Sequence, residues 1–233
     1  MDSFPMRINK YLAHKGVATR TGVDELIKSS KVLINGKIAK LGDKVLETDK
    51  VEVREKHIKK DYVYLAYNKP VGVVTANPQG DEKDIISSIA SEKKVFPVGR
   101  LDKDSHGLII LTNDGRITDR LLNPMYDHEK EYVVETDRPF TPAFLKHIQD
   151  GVVIDDYTTQ KAKAKKLGDT KFSLILTEGK NRQIRKMVDR LGYTVIDLKR
   201  IRIQNIKLEK IPANSYRQIV GEEKETFLKS IGL

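Results

Sequence analysis

Cysteine is missing from all 233 residues, and so is tryptophan. Without thiols there are no disulfides and no thiolate metal sites, which suits a cytoplasmic location. Aromatic residues make up only 6% of the chain, too few for the extended stacking platform of single-strand binders. No apolar run is long enough to cross a bilayer, so no membrane partner is expected. The N-terminus lacks a basic start followed by an apolar core, so no secretory leader is expected. His14, His57, His106, His128 and His147 are scattered without metal-ligand spacing, and His106 has no evident partner. Neither a metal nor an organic cofactor is expected.

Positive charge, by contrast, is in surplus. Lys and Arg number 43 against 33 Asp and Glu, a net charge of +10. Such an excess points to a polyanion, RNA or DNA, or less often an anionic membrane. Hydrophobic residues at 39% suffice to bury a core.

Residues 6–54 read as a small unit. Ile8, Leu12 and Ala13 line one face of a short helix, and Thr21 with Asp24 suggests a capping box for a second helix through Leu26 and Ile27. Val32 to Ile34 and Lys37 to Ala39 flank Asn35-Gly36, a strong signal for a tight hairpin. Val45 and Val51 to Val53 add one or two short strands. The unit is too small to bury much surface and reads as an accessory module. A charged stretch then forms a linker, giving a division into residues 1–56, a linker at 57–61, and residues 62–233.

The larger part predicts strands over 63–67, 71–75, 95–98, 108–112, 131–136, 162–166 and 172–177. Helices are predicted over 84–91, 117–122, 142–149, 183–191 and 222–230. The alternation lacks a regular βαβ rhythm. The expected class is therefore α+β, with a mixed, mostly antiparallel sheet flanked by helices.

Three stretches could carry chemistry. Gly99-Arg100-Leu101-Asp102-Lys103-Asp104-Ser105-His106-Gly107 lies between two apolar strands, with glycines at both ends to allow tight turns. Asp102 or Asp104 could equally cap a solvated turn. The second stretch, from Glu178 to Met187, opens a helix whose free N–H groups attract phosphate, helped by Lys180 and Arg182. A cation from this helix, which also carries Arg185, could pair with a carboxylate of the first loop, while Lys186 reads as an ordinary charged surface residue. The third, His128 to Tyr132, leads into an apolar strand, where Tyr132 is either a core residue or a ring that stacks on a base.

The order of these motifs resembles a known family. Residues 6–54, with Arg7-Ile8-Asn9-Lys10-Tyr11-Leu12 and Val32-Leu33-Ile34-Asn35-Gly36, resemble the αL-type RNA-binding domain of a small-subunit ribosomal protein. The chain from Tyr62 onward resembles pseudouridine synthases of the RsuA, RluB, RluE and RluF type. The resemblance rests on Asn68-Lys69-Pro70 with Gly72, Gly99 to Asp102, Gly107-Leu108, Leu111 to Gly115, Lys130-Glu131-Tyr132 and Asn181 to Arg185. Leu101 to Ser105 with Asp127 to Tyr132 is nearest the RluF type. This resemblance implies that Asp102 is the catalytic carboxylate, that Tyr132 sits beside the target base and that Arg185 pairs with Asp102. Its implied substrate is ribosomal RNA, favouring the large subunit, with transfer RNA as the second candidate. Expected RNA contacts are Arg7, Lys10, Arg20, Lys37, Lys69, Arg100, Lys180 and Arg182, and a monomer is expected.

The implied reaction breaks N1–C1′, turns the uracil and rejoins it through C5, without redox change or group transfer. The base must leave the stack to turn, and Arg100 is placed to fill the gap or to contact phosphate. Asp102 either attacks C1′ or removes the C2′ proton, and the sequence leaves both open. A non-catalytic RNA-binding factor in ribosome assembly or translation explains the charge and residues 6–54, but not the Gly99–Gly107 stretch. A nuclease would want metal-binding carboxylate clusters or a His pair, and Asp102 with Asp104 is thin support.

Overall fold

The computed structural model describes residues 4–15, 17–18, 20–54, 61–89 and 94–233. Residues 57–60 of the expected linker at 57–61, His57 among them, lie outside the described residues. The chain divides into two compact units, Met1–Tyr62 with Asp114–Thr118, and Val63–Asn113 with Asp119–Leu233.

In the first unit, helices Ile8–His14 and Arg20–Lys28 bury Ile8 with Leu12 and Val23 with Ile27. Each pair is four residues apart and so faces one way. These side chains pack with Met6, Val32 and Val45. Val32–Ile34 is the central strand between Lys37–Ile38 and Val51–Val53, and Met6–Arg7 pairs with Lys44–Val45. Asn35 (φ 50°) and Gly36 (φ 79°) form the two-residue loop that the hairpin signal predicts. The expected capping box does not form. Its helix begins at Arg20, which places Thr21 inside the first turn, and Asp24 instead accepts a hydrogen bond from Asn9 at 2.9 Å, tying the two helices.

The second unit is built on a nine-stranded sheet. Its main path runs Lys163–Lys166, Lys171–Leu176, Lys130–Thr136, Val195–Ile203, His106–Thr112, Tyr64–Lys69 and Tyr216–Gln218. Ile206–Lys207 adds to Val195–Ile203, and Phe96–Val98 adds to His106–Thr112. Every named pairing is antiparallel except Val195–Ile203 with His106–Thr112, which is parallel. The expected mixed, mostly antiparallel sheet is what forms. Val134, Phe172 and Leu174 bury one face against Phe144 and Ile148 of helix Pro142–Asp150 and Met187 and Val188 of helix Gln183–Arg190. Leu65, Tyr67, Ile109 and Leu111 form a second cluster with Ile85.

Two expectations fail nearby. The predicted helix over 84–91 is a single 3-10 turn, Ile86–Ser88, whose start is held by Asp84 accepting from the Ser87 amide at 2.7 Å; residues 90–91 lie outside the described set. Residues 71–75 do not resume a strand. Gly72 turns away with φ 86°, and its amide donates to the Lys103 carbonyl at 2.8 Å. The Val74 amide donates to the Lys83 carbonyl at 3.1 Å, so the backbone groups of this stretch are spent on separate loops.

Candidate active site

Asp102 sits on the loop between Phe96–Val98 and His106–Thr112, two strands that pair with each other. The loop turns on Gly99 (φ 77°) and Gly107 (φ 103°). At Gly107 the need for glycine is absolute in packing as well. A Cβ there would lie 2.3 Å from the Arg200 carbonyl oxygen on the parallel neighbour strand.

Residues 69–75 hold this loop from one side. Thr75 Oγ1 donates to the Leu101 carbonyl at 2.7 Å and accepts from the Leu101 amide at 3.0 Å. Lys69 is 0% exposed. Its ammonium donates to the Ser105 carbonyl at 2.7 Å and to the Pro70 carbonyl at 3.0 Å. Burial draws the Lys69 pKa down to about 8, against the pull of the Asp102 and Asp104 charges and with the help of the Arg200 charge. Lys69, expected to contact RNA, is thus enclosed, with its ammonium serving the Ser105 and Pro70 carbonyls.

Helix Gln183–Arg190 braces the loop from the other side. Arg185 donates to the Asp104 carbonyl at 3.0 Å, the Ser105 hydroxyl at 3.2 Å and the Val195 carbonyl at 3.1 Å, and its Nε lies 3.3 Å from the Asp104 carboxylate. Arg182, left-handed at the helix start (φ 51°), donates to both Asp104 oxygens at 3.3 and 3.2 Å. Burial opposes ionisation of Asp104, but the Arg182 hydrogen bonds and the two guanidinium charges prevail and hold its pKa below the usual carboxylate range.

The expected Arg185–Asp102 pair is not what the geometry shows. Arg182 is the guanidinium at Asp102, with Nη1 3.7 Å from Oδ2. Arg185 is committed instead to the Asp104 and Val195 carbonyls, the Ser105 hydroxyl and the Asp104 carboxylate. Among the described residues no side chain hydrogen-bonds the Asp102 carboxylate, and its side chain is 33% exposed. It is thus an ionisable oxygen pair on a rigid support, open toward solvent.

Tyr132 lies in Lys130–Thr136, paired across the sheet with Arg200 and Leu174. It is 8% exposed and packs in the same cluster as Leu101, the residue before Asp102. The ring is a core side chain adjoining the loop that carries Asp102. Arg100 is exposed beside Leu101. Lys180 is exposed, with its ammonium 4.7 Å from the centre of the Tyr157 ring. The helix start near it is partly claimed by protein. Gln183 accepts from the Lys180 amide at 2.9 Å, and buried Glu178 accepts from the Gln160 amide at 3.0 Å. Lys186 pairs with Asp155, as its reading as an ordinary charged residue has it. In the first unit Arg7, Arg20 and Lys37 are exposed and Lys10 half-buried.

Several site groups escaped the sequence reading. Thr75 and Ser105 carried no signal beyond their neighbourhood. His106 does have a partner, Asp197 at 2.8 Å. Lys130 and Arg200 are both buried near Tyr132, although Lys130-Glu131-Tyr132 was legible as a motif. Among the described residues no group of three or more His, Asp or Glu is placed to hold a metal ion.

A partly exposed carboxylate on a doubly braced loop, near a ring in a mostly antiparallel sheet, is placed to meet a bound substrate, and comparison with known proteins says of which class. Residues 62–190 match the family model for RNA pseudouridylate synthase, and residues 6–51 match the S4 domain. The dual-specificity RNA pseudouridine synthase RluF of Salmonella typhi is 41% identical over 229 residues, covering 97% of this chain and 79% of that protein. The ribosomal large subunit pseudouridine synthase B of Bacillus subtilis is 34% identical, covering 93% of this chain and 94% of that protein. A crystal structure of a pseudouridylate synthase superposes with a TM-score of 0.71 at 26% identity, covering 97% of this chain and 99% of that one. The chain belongs to the RNA pseudouridylate synthase family and is an RNA isomerase with an S4 domain. The RluF-type resemblance and the αL-type reading of its N-terminal part hold, and the non-catalytic reading is set aside.

Proposed function

We propose that this enzyme converts a specific uridine of ribosomal RNA, in the large subunit by preference, to pseudouridine, with Asp102 as its catalytic carboxylate. The observation that carries the site assignment is Asp102 itself. It is a carboxylate without a hydrogen-bonded cation, on a loop pinned by Lys69, Thr75, Gly72 and Arg185. The substrate class follows from relatives named for the large ribosomal subunit. The S4 domain and the surplus of 10 positive charges support binding to folded RNA.

The chain works as a monomer in the cytoplasm, with residues 1–56 guiding RNA, 57–61 as linker and 62–233 performing the chemistry. No helix among the described residues is long and apolar enough to cross a membrane. Arg7, Lys10, Arg20 and Lys37 meet phosphate in the first part, and Arg100 and Lys180 do so in the second. Because phosphate contacts release counterions, binding falls steeply with salt.

The target uridine leaves the stack and enters beside Tyr132. Arg100, exposed next to the loop, takes the vacated space. Positive charge builds at the sugar as N1–C1′ lengthens, and the Asp102 carboxylate stabilises it. Arg182, with Nη1 3.7 Å from it, steers that carboxylate. Arg185 acts one step back, as a positioning residue that fixes the loop. Tyr132 holds the ring and assists removal of the C5 proton.

Asp102→Asn tests the assignment. Pseudouridine mapping of ribosomal RNA from cells lacking this protein should show one or a few missing sites, restored by the natural chain and not by the variant. Purified Asp102→Asn should bind folded RNA within about twofold of the natural affinity, since it touches no phosphate contact. Restoration of the sites by Asp102→Asn would refute the role given to this carboxylate.

A further inference from the structure

Among the described residues, no carboxylate pairs with the two buried cations near Tyr132. Arg200 is 4% exposed and Lys130 8% exposed. Arg200 Nε donates to the Leu108 carbonyl at 2.7 Å, but its Nη2 is buried with no hydrogen-bond partner. Lys130 Nζ reaches only the His128 carbonyl, at 3.3 Å. Other buried or half-buried arginines on this sheet are paired. Arg202, for example, meets Glu131 at 2.8 Å and Glu129 at 3.0 Å.

The placement is specific. Arg200 stands opposite Tyr132 on one side and Gly107, the end of the Asp102 loop, on the other. Lys130 alternates with Tyr132 on the buried side of its strand. The pairing of Val195–Ile203 with Lys130–Thr136 shifts register between Arg200 and Arg202. Such an irregularity re-aims a side chain, and it sends Arg202 to the glutamates while Arg200 stays buried. Burying a guanidinium nitrogen with no partner is costly, and two like charges close together add to the cost. The repulsion is visible in Lys130, whose pKa is drawn down to about 8 by burial and then by Arg200. A fold keeps such an arrangement where a ligand supplies the missing charge.

We propose that Arg200 and Lys130 form an anion subsite for the uracil ring, receiving a ring carbonyl oxygen and stabilising the uracilate released when N1–C1′ breaks. This rests on the isomerase reading above and assigns groups to a step that Asp102 alone does not serve. The N1–C1′ electron pair leaves with the base, whether Asp102 oxygen bonds to C1′ or takes the C2′ proton. The ring then carries one negative charge, spread from N1 onto the carbonyl oxygens. C5 attacks C1′ as Asp102 leaves C1′ or returns the proton to C2′, and the C5 proton is lost as N1 gains one, so no other reactant is consumed. A guanidinium and an ammonium held by buried strands meet this transient charge without reorganising, as preorganised donors at an oxyanion do.

The experiment compares single-turnover rates at saturating RNA for the natural enzyme, Arg200→Gln and Lys130→Gln, on a uridine substrate and on one carrying 5-fluorouridine at the target. Fluorine stabilises the departing anion, so it should make up for weakened protein stabilisation of that charge. The expected result on uridine is an approximately 100-fold loss for Arg200→Gln and a smaller loss for Lys130→Gln, with RNA affinity held within about twofold. Cleavage of N1–C1′ in the fluorinated substrate should lose about tenfold less than that. Equal losses on both substrates would overturn the proposal, as would a defect confined to RNA affinity, which would mark a phosphate contact. If Arg200→Gln does not fold, Lys130→Gln is judged by the same ratio. Failure of the natural enzyme to isomerise any uridine would instead sink the parent reading.

Discussion

Replacing Lys69 with methionine should separate the fold from the catalyst. Methionine is close to lysine in length and carries no charge. With its pKa at about 8 rather than 10.5, the Lys69 ammonium is disfavoured in the fold by about 3 kcal/mol. The variant is relieved of that cost. Against this, the Ser105 and Pro70 carbonyls each lose a donor, at roughly 1–3 kcal/mol apiece. The two effects nearly cancel, so the melting temperature should move by no more than about 5 °C in a unit of this size. Turnover should not survive so well. The tether that holds the Asp102 loop is gone, and a misplacement of about 1 Å costs on the order of 100-fold. Release of tritium from RNA labelled at uracil C5, in a single turnover, reads the rate, and a salt titration reads the RNA contacts. The slope of affinity with salt should be unchanged, because a buried ammonium touches no phosphate. A variant that melts more than 10 °C lower yet isomerises at the natural rate when kept cold would refute the reasoning. So would a salt slope reduced by about one, the mark of a lost phosphate contact.

Further outcomes follow from the same geometry. Gly107→Ala should cost about 3 kcal/mol or more in urea unfolding, because its Cβ meets the Arg200 carbonyl and φ is 103°; a loss under 1 kcal/mol would show that the strand pair can part. Arg182→Gln should leave the melting temperature nearly unchanged, since its pairs are partly exposed, and yet reduce turnover, whereas Arg185→Gln should lower both. Matched melts and single-turnover rates check this contrast, and identical behaviour of the two variants would contradict it. Stability should rise between pH 8 and 10.5. Lys69 and Lys130 lose their protons near 8 in the fold but near 10.5 when unfolded, so the unfolded chain holds more protons across that window. Below pH 8 both penalties are fully present. Lys130→Met should therefore flatten the rise by about 1 kcal/mol per pH unit, read from urea midpoints at pH 8 and 9.5.

Legibility tracked how local the cause was. Asn35-Gly36 closes a hairpin through the backbone preferences of two residues, and the hairpin is there. The apolar run ending at Thr112 is a central strand for the plain reason that both of its faces are covered. Val195–Ile203, the nine-residue strand beside it, was not legible. Its two register shifts break the alternation that marks a strand, and its buried Arg200 stands where an apolar residue would be expected. The stretch over 71–75 failed in the opposite sense. It has a strand's composition, but Gly72 and Thr75 spend their hydrogen bonds on the distant loop.

For the site, the order of short motifs in the chain was enough to determine the family, and it pointed to the loop and to Asp102. Residue types and spacing along one segment are properties of the sequence itself. Which arginine approaches Asp102 was decided only in three dimensions, because Arg182 and Arg185 are neighbours on one helix and differ only in what they meet across the fold. The same holds for Lys69, which reads as a surface cation until the sheet encloses it and turns it into a brace. Arg200 and Lys130 become a pair only when two strands far apart in the chain are brought together. Charge is written in the sequence, but whether it faces water, a carboxylate or a backbone carbonyl depends on packing.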